Sequence, residues 1–235
     1  MRYFNKQQLE FEFGNIEAMF KKMHYCNTFI QHKPMSSKRF KKWTFKLLYE
    51  QEVIPYKPSH IIIPEKLLTD KPTAWRGLES IIEDIIRRFE LKTDLCVEFG
   101  VEFGYSAVAF SNYFNKVIGV DTFMGDTHTN FKGDHYTETS KRLEAFTNIE
   151  LVKADYQTFT QQNPTLNADL IHVDIVHDYE HTFACGLWSA QHSKCTIFHD
   201  TETFIDVRKA VRDVAKATGK RFYNYPNHCG LGIVV

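Results

Sequence analysis

The chain has 235 residues, room for one α/β domain with an N-terminal addition and a sizeable core. Lysine plus arginine equal aspartate plus glutamate at 29 each, so no global field draws the protein to nucleic acid or to a membrane surface. No stretch is long and apolar enough to span a bilayer, and the opening MRYFNKQQLEFEF is unlike a secretory signal.

Residues 1 to 75 form an N-terminal extension rich in Lys, Phe, Tyr and Gln that lacks β-α alternation. It is a candidate substrate cap or oligomerisation element, which makes the chain a candidate homo-oligomer. Asn15 to His24 suits a short helix. Ser36 to Trp43 is basic with interleaved aromatics. Phe40, Trp43 and Leu47 fall at helical spacing, so a solvated helix face explains the run better than an anion site. Pro55, Pro58, Pro64 and Pro72 punctuate a connecting segment around a short candidate strand, His60 to Ile63.

Residues 76 to 235 read as the main domain. Leu78, Ile81, Ile82, Ile85, Ile86 and Phe89 predict a helix over 73–89. Strands are then expected at 95–99, 117–121, 149–153, 169–173, 195–199, 221–225 and 231–235. Helices are expected at 105–114, 138–146, 177–189 and 207–218, the last stopped by Gly219. This alternation predicts a doubly wound, mostly parallel, seven-stranded sheet. The final pair, joined by a short turn, requires one antiparallel strand. The five cysteines, Cys26, Cys96, Cys185, Cys195 and Cys229, include no C-x-x-C pair. They read as reduced thiols of a cytoplasmic protein, with neither a disulfide framework nor a zinc site.

The stretch from Asp94 to Asp121 carries the first chemistry. It is a strand, a turn with Gly100 and Gly104, a helix opening with Tyr105 and Ser106, and a second strand ending in Asp121. Glycine admits a ligand against the backbone. An acid ending the second strand can accept both hydroxyl hydrogens of a ribose. A dinucleotide fingerprint needs a third glycine. Here the pattern is Glu98-x-Gly100-x-x-x-Gly104, with Glu98 and Glu102 set to repel a pyrophosphate. A ligand with no phosphate and a positive centre fits better. The stretch resembles motif I and the second-strand acid of class I methyltransferases that depend on S-adenosylmethionine (SAM).

Asp121, Asp155, Asp174 and Asp200 lie at or just past the ends of four successive core strands, where a doubly wound sheet binds its ligands. Two histidine clusters join them: Asp174-Ile175-Val176-His177-Asp178-Tyr179-Glu180-His181, and His199-Asp200-Thr201. A paired His and Asp can orient a base or hold a metal. His172 and His181 read as structural histidines.

Here the resemblance sharpens. Asp121-Thr122-Phe123-x-Gly125-Asp126-x-His128 is similar to the D-T-W-x-G-D-x-H run of a bacterial group of class I methyltransferases found with glycan-modifying enzymes. His172 to Glu180 resembles H-I-D-G-x-H-x-Y-E of the same group, Phe198 to Thr201 its F-H-D-T, and His228 to Ile233 its closing H-G-L-G-V. The wider family includes macrocin and other macrolide sugar O-methyltransferases and cephalosporin hydroxylase-like proteins. Three departures stand out: Ile175 replaces a family glycine, Cys229 intrudes in the last motif, and Gln191 to Lys194 replaces P-G-G. The likeness runs from Asp94 to the C-terminus; the N-terminal third matches nothing.

The resemblance implies methyl transfer from SAM to a sugar or other small hydroxyl acceptor, a free molecule or a glycan. Glu98, Gly100, Gly104, Tyr105, Ser106, Asp121, Thr122, Phe123, Asp155 and Asp174 are the expected cosubstrate residues, with Asp155 or Tyr156 at the adenine. His177 is the expected general base, with Asp174 and Asp200 beside it. Asp174, His199 and Asp200 are the expected ligands of Mg2+ or another divalent cation. The alternatives are a non-catalytic SAM-binding partner of a glycan-assembly enzyme and a nicotinamide-dependent oxidoreductase. Methylation of nucleic-acid nitrogen ranks below both, since no N-P-P-Y-like tetrapeptide follows the fourth strand.

Overall fold

A computed structural model describes residues 52–125 and 133–235. The readings made on Asn15 to His24, Ser36 to Trp43, Cys26, Asp126 and His128 lie outside the described residues. Residues 54–235 form one compact unit. The expected boundary near residue 75 falls inside it, because Tyr56 and Trp75 are buried in the main core.

The strands are β1 (Val53–Pro55), β2 (Leu95–Phe99), β3 (Lys116–Asp121), β4 (Ile149–Lys153), β5 (Ala168–Val173), β6 (Ser193–His199), β7 (Phe222–Tyr225) and β8 (Leu231–Val234). They form an eight-stranded sheet in the order β1-β7-β8-β6-β5-β2-β3-β4. Seven of these strands were expected, and β1 adds an eighth at one edge. The strands from β4 across to β6 pair in parallel, and β8 runs antiparallel to both β6 and β7. The candidate strand at His60 to Ile63 is absent. Ile61 and Ile63 are 68% and 70% exposed, and the flanking prolines keep the segment out of a ladder.

The helices are α1 (Ile82–Arg88), α2 (Tyr105–Ser111), α3 (Tyr136–Leu143), α4 (Tyr156–Gln162), α5 (Tyr179–Gln191) and α6 (Ile205–Thr218). The helix expected over 73–89 is shorter. Gly77 takes φ 104°, a 3-10 turn follows at Leu78–Ile81, and α1 continues from there. Helix α4 was not foreseen. Asp155 caps it, accepting a hydrogen bond from the Thr158 backbone N–H at 2.7 Å. Asp178 caps α5 in the same way through His181 N, which leaves His177 in the preceding loop.

Strand alternation divides the core. Cys96 and Glu98 face the layer holding Trp75 and Phe110, while Phe99 points the other way and meets Phe159 of α4 and Trp188 of α5. Because β5 pairs with β2 in register, His172 lies directly across from Glu98. Gly100 takes φ 91°, and a Cβ there would overlap the Asp174 carbonyl oxygen. The turn after β2 therefore lies tight against the end of β5. This close approach is an internal reason for the glycine, independent of any ligand.

Candidate active site

A cleft of about 780 Å3 opens at the carboxyl ends of the parallel strands. At one end lie Gly100, Asp121, Thr122 and Asp155; at the other lie Asp174, His177, His199 and Asp200. The segment Lys71 to Trp75 forms a wall that the sequence did not reveal. It is tied to α3 by ion pairs from Lys71 to Glu138 and from Asp70 to Arg142.

The glycine end departs from expectation in four places. Asp121 was read as a ribose acceptor. Its Oδ2 instead accepts backbone N–H bonds from Val101 and Glu102, both at 2.8 Å, and its Oδ1 accepts one from Phe123 at 2.7 Å. Three of about four carboxylate acceptor positions are thus used to latch the turn. Glu98, Gly104 and Phe123 do not line the cleft. Glu98 is fully buried beneath it, Gly104 packs where a Cβ would meet Leu143 Cδ1 at 2.7 Å, and Phe123 is sealed against His135 and Tyr136. Tyr105 and Ser106, at the start of α2, do line it. Burial raises the Glu98 carboxyl, and the hydrogen bond from His172 opposes it.

At the other end, His177 Nε2 lies 2.9 Å from Asp200 Oδ2 and 3.4 Å from Asp174 Oδ1. His199 Nδ1 lies 3.0 Å from Asp174 Oδ2 and 3.3 Å from Asp200 Oδ2. The His177 ring stacks on Phe204, centroids 4.4 Å apart and planes 6° apart. Asp200 sits at φ 64°, an unusual backbone for a residue with a side chain. The left-handed residues also include Cys229 at 65°, whereas Ile175 takes an ordinary backbone in place of the family glycine.

Charge in this cluster is set by mutual contact. Burial disfavours the His177 imidazolium, but Asp174 and Asp200 outweigh it and push its pKa up to about 10. Burial likewise opposes the His199 cation, and Asp174 raises it nonetheless. Burial also opposes the Asp174 carboxylate, yet the charge of His199 and the contact with His177 hold it far below the usual range. The His177 imidazolium thus lies against the carboxylates of Asp174 and Asp200. The direction is the one expected from the neighbouring acids, and a His177 that holds its proton at neutral pH is not free to take another.

The expected metal set was Asp174, His199 and Asp200. Among the described residues, the sets with one ligand atom each within 4.8 Å of the others are Asp174–His177–Asp200 and His199–Asp200–Cys229. Magnesium favours an octahedron of oxygens. Each set includes a nitrogen or sulfur donor, and both histidines are held by the carboxylates that a cation would need. The residues do not fit magnesium.

Residues 97–201 match the family model of a methyltransferase domain. The fold is similar to that of Aeropyrum pernix fibrillarin in complex with natively bound SAM. The two are 11% identical over 76% of this chain and 88% of that one, with a TM-score of 0.51. It is also similar to a Staphylococcus aureus protein provisionally assigned as a caffeoyl-CoA O-methyltransferase. That pair is 13% identical over 91% of this chain and 98% of that one, with a TM-score of 0.53. The chain matches no curated protein sequence. Among the described residues, no helix is long and apolar enough to cross a membrane.

Proposed function

We propose that this chain, whose residues 97–201 match the family model of a methyltransferase domain, is a class I SAM-dependent methyltransferase that methylates a hydroxyl group of a sugar or similar polyol. The observation that carries the reading is one continuous cleft joining the glycine turn after β2 to the Asp174–His177–His199–Asp200 cluster. A methyl donor held at the first end faces an acceptor at the second.

SAM supplies a methyl group activated on a sulfonium. The chain's own residues bind, orient and manage a proton. Gly100 and Thr122 lie where an adenosine would be held, and Asp155 and Tyr156 line the same end. Asp121 keeps about one acceptor position for a ribose hydroxyl. Glu98, behind Ser106, is the carboxylate available to the amino-acid end.

The paired carboxylates of Asp174 and Asp200 can accept hydrogens from neighbouring hydroxyls, which suits a polyol. A hydroxyl must lose its proton during transfer. His177 and His199 both address Oδ2 of Asp200, so Oδ1 of that side chain is the atom assigned to take it. His177, as imidazolium, holds the Asp174 carboxylate ionised and contacts Asp200.

The test is release of S-adenosylhomocysteine from SAM with glycosides, with catechols and with no acceptor. Turnover that requires a glycoside supports the reading. SAM binding with no turnover on any hydroxyl acceptor would leave the chain as a binding partner instead.

A further inference from the structure

The turn after β6 holds Asp200 in a left-handed backbone, at φ 64°. A residue with a side chain keeps such a conformation only where its surroundings over-determine it. Here the surroundings are a buried polar network behind the cleft. Thr201 Oγ1 donates to Asn224 Oδ1 at 2.6 Å, and Asn224 Nδ2 donates to Glu202 Oε1 at 3.0 Å. Arg208 pairs with the same Glu202 oxygen. Thr201, Asn224 and Arg208 are 1%, 5% and 7% exposed, and none of the three lines the cleft.

The network ties one turn to three elements. Asn224 projects from β7 and Arg208 from the opening turn of α6. A Cβ at Gly232 of β8 would meet Thr201 Cγ2 at 2.9 Å, so the Thr201 methyl is seated against the sheet while its hydroxyl is engaged by Asn224. The backbone adds further ties. Glu202 N donates to Cys229 O at 2.9 Å, and the N–H groups of Thr203 and Phe204 donate to Asp200 O at 3.1 and 3.0 Å. Two groups of the site ride on this turn: the Asp200 carboxylate, 2.9 Å from His177 Nε2, and the Phe204 ring stacked on His177.

We propose that Thr201 and Asn224 are positioning residues for methyl transfer, which lock the turn that aims the Asp200 carboxylate at His177 and at the acceptor hydroxyl. This rests on the reading of Asp200 as the proton acceptor. Asn224 suits the place because one side chain both accepts from Thr201 and donates to Glu202. With either bond removed, the turn can relax from its left-handed backbone and carry the carboxylate with it. A misplacement of about 1 Å at a reacting group can cost about a hundredfold in rate.

Thr201→Val keeps the shape and removes the hydroxyl; Thr201→Ser keeps the hydroxyl. The experiment measures kcat and KM for an accepted glycoside, with SAM affinity by calorimetry, in the parent and in Asp200→Asn. Thr201→Val should lower kcat roughly ten- to hundredfold and leave SAM affinity within about twofold. Thr201→Ser should stay within about threefold of the parent kcat. In Asp200→Asn, Thr201→Val should cost less than about twofold more, because the group it positions is already gone. A role in stability alone would lower kcat by the same factor in both backgrounds. Equal losses in the two backgrounds, or a Thr201→Val protein with the parent's kcat, overturn the proposal. Asn224→Asp keeps the acceptor for Thr201 and loses the donor to Glu202, and it carries the same cycle if Thr201→Val fails to fold. An Asp200→Asn protein with the parent's kcat refutes instead the reading of Asp200 as the base.

Discussion

Nε2 of His177 lies between two carboxylates, 2.9 Å from Oδ2 of Asp200 and 3.4 Å from Oδ1 of Asp174. That placement decides which group can act as base. With the His177 pKa pushed up to about 10, the ring is charged at neutral pH and Asp200 is the remaining acceptor. Asp200→Asn should lower turnover by roughly 10²–10⁴-fold, the range for a general base, with SAM affinity unchanged. The parent's rate should hold through neutral pH and fall as His177 loses its proton near pH 10. A rate that climbs steadily toward pH 10 would restore His177 as the base.

The same pair makes stability depend on pH. The folded chain holds the His177 proton up to about 10, against an ordinary value of 6.5. Its contribution is complete below pH 6.5 and is lost as pH rises through about 10. Asp174 acts with the opposite sign. Its contribution is present above the ordinary 3.8 and is lost as pH falls toward its much lower folded value. Urea midpoints should therefore decline between pH 6.5 and 10, and His177→Gln should flatten that decline. Parallel curves for the two proteins would disprove the coupling.

Asp121 tests the difference between a latch and a ribose acceptor. Its carboxylate holds the backbone N–H groups of Val101, Glu102 and Phe123. Asp121→Ala should cost roughly 1.5–3 kcal/mol of folding stability, as for hydrogen bonds to a charged group, besides weakening SAM. Loss of SAM affinity with an unchanged thermal midpoint would mean that the ribose is its main partner.

Much of the fold was legible because its signals are local. The runs at Leu95 to Phe99, Val117 to Asp121 and Leu231 to Val234 are apolar and bounded by turns, and Gly219 ends α6 at φ 69° as read. Helix α4 escaped because Phe159 is its one buried residue, so no apolar period marks it; the Asp155-x-x-Thr158 cap was the available signal. The convergence of strand-end acids was legible from topology, and Asp121, Asp155, Asp174 and Asp200 do line one cleft. What Asp121 binds was not, because its partners are backbone N–H groups that carry no sequence signature. The wall at Lys71 to Trp75 and the stack of Phe204 on His177 depend on contacts between distant segments. Alternation along β2 sets Glu98 on the face opposite Phe99, buried behind residues that line the cleft, which the motif alone does not show.

Removal of metal should leave transfer intact. The charged His177 ring already occupies the space between Asp174 and Asp200, and a cation would have to displace it. After exhaustive chelation, turnover with an authentic acceptor should match that of the untreated protein. Activity that disappears on chelation and returns with manganese or magnesium would show that the cluster works through a cation.

Gly100 is where fold and site meet most tightly. Its φ of 91° lies in a region that side chains rarely adopt, and a Cβ would overlap the carbonyl oxygen of Asp174. The backbone strain alone should cost roughly 1–3 kcal/mol in Gly100→Ala, and the overlap adds to it. Relief requires the end of β5 to move away from the turn after β2, since Asp174 N donates to Phe99 O at 2.8 Å across that junction. Such a shift carries the Asp174 carboxylate away from His177 and His199. Gly100→Ala should therefore unfold at lower urea and, where still folded, transfer methyl groups more slowly than its stability loss explains. Ile175→Gly, at the next residue after Asp174 and already at an ordinary φ, serves as the contrast: its change should leave the cluster in place. A Gly100→Ala protein with the parent's turnover and urea midpoint would show that the junction yields without cost and that Asp174 is not held by it.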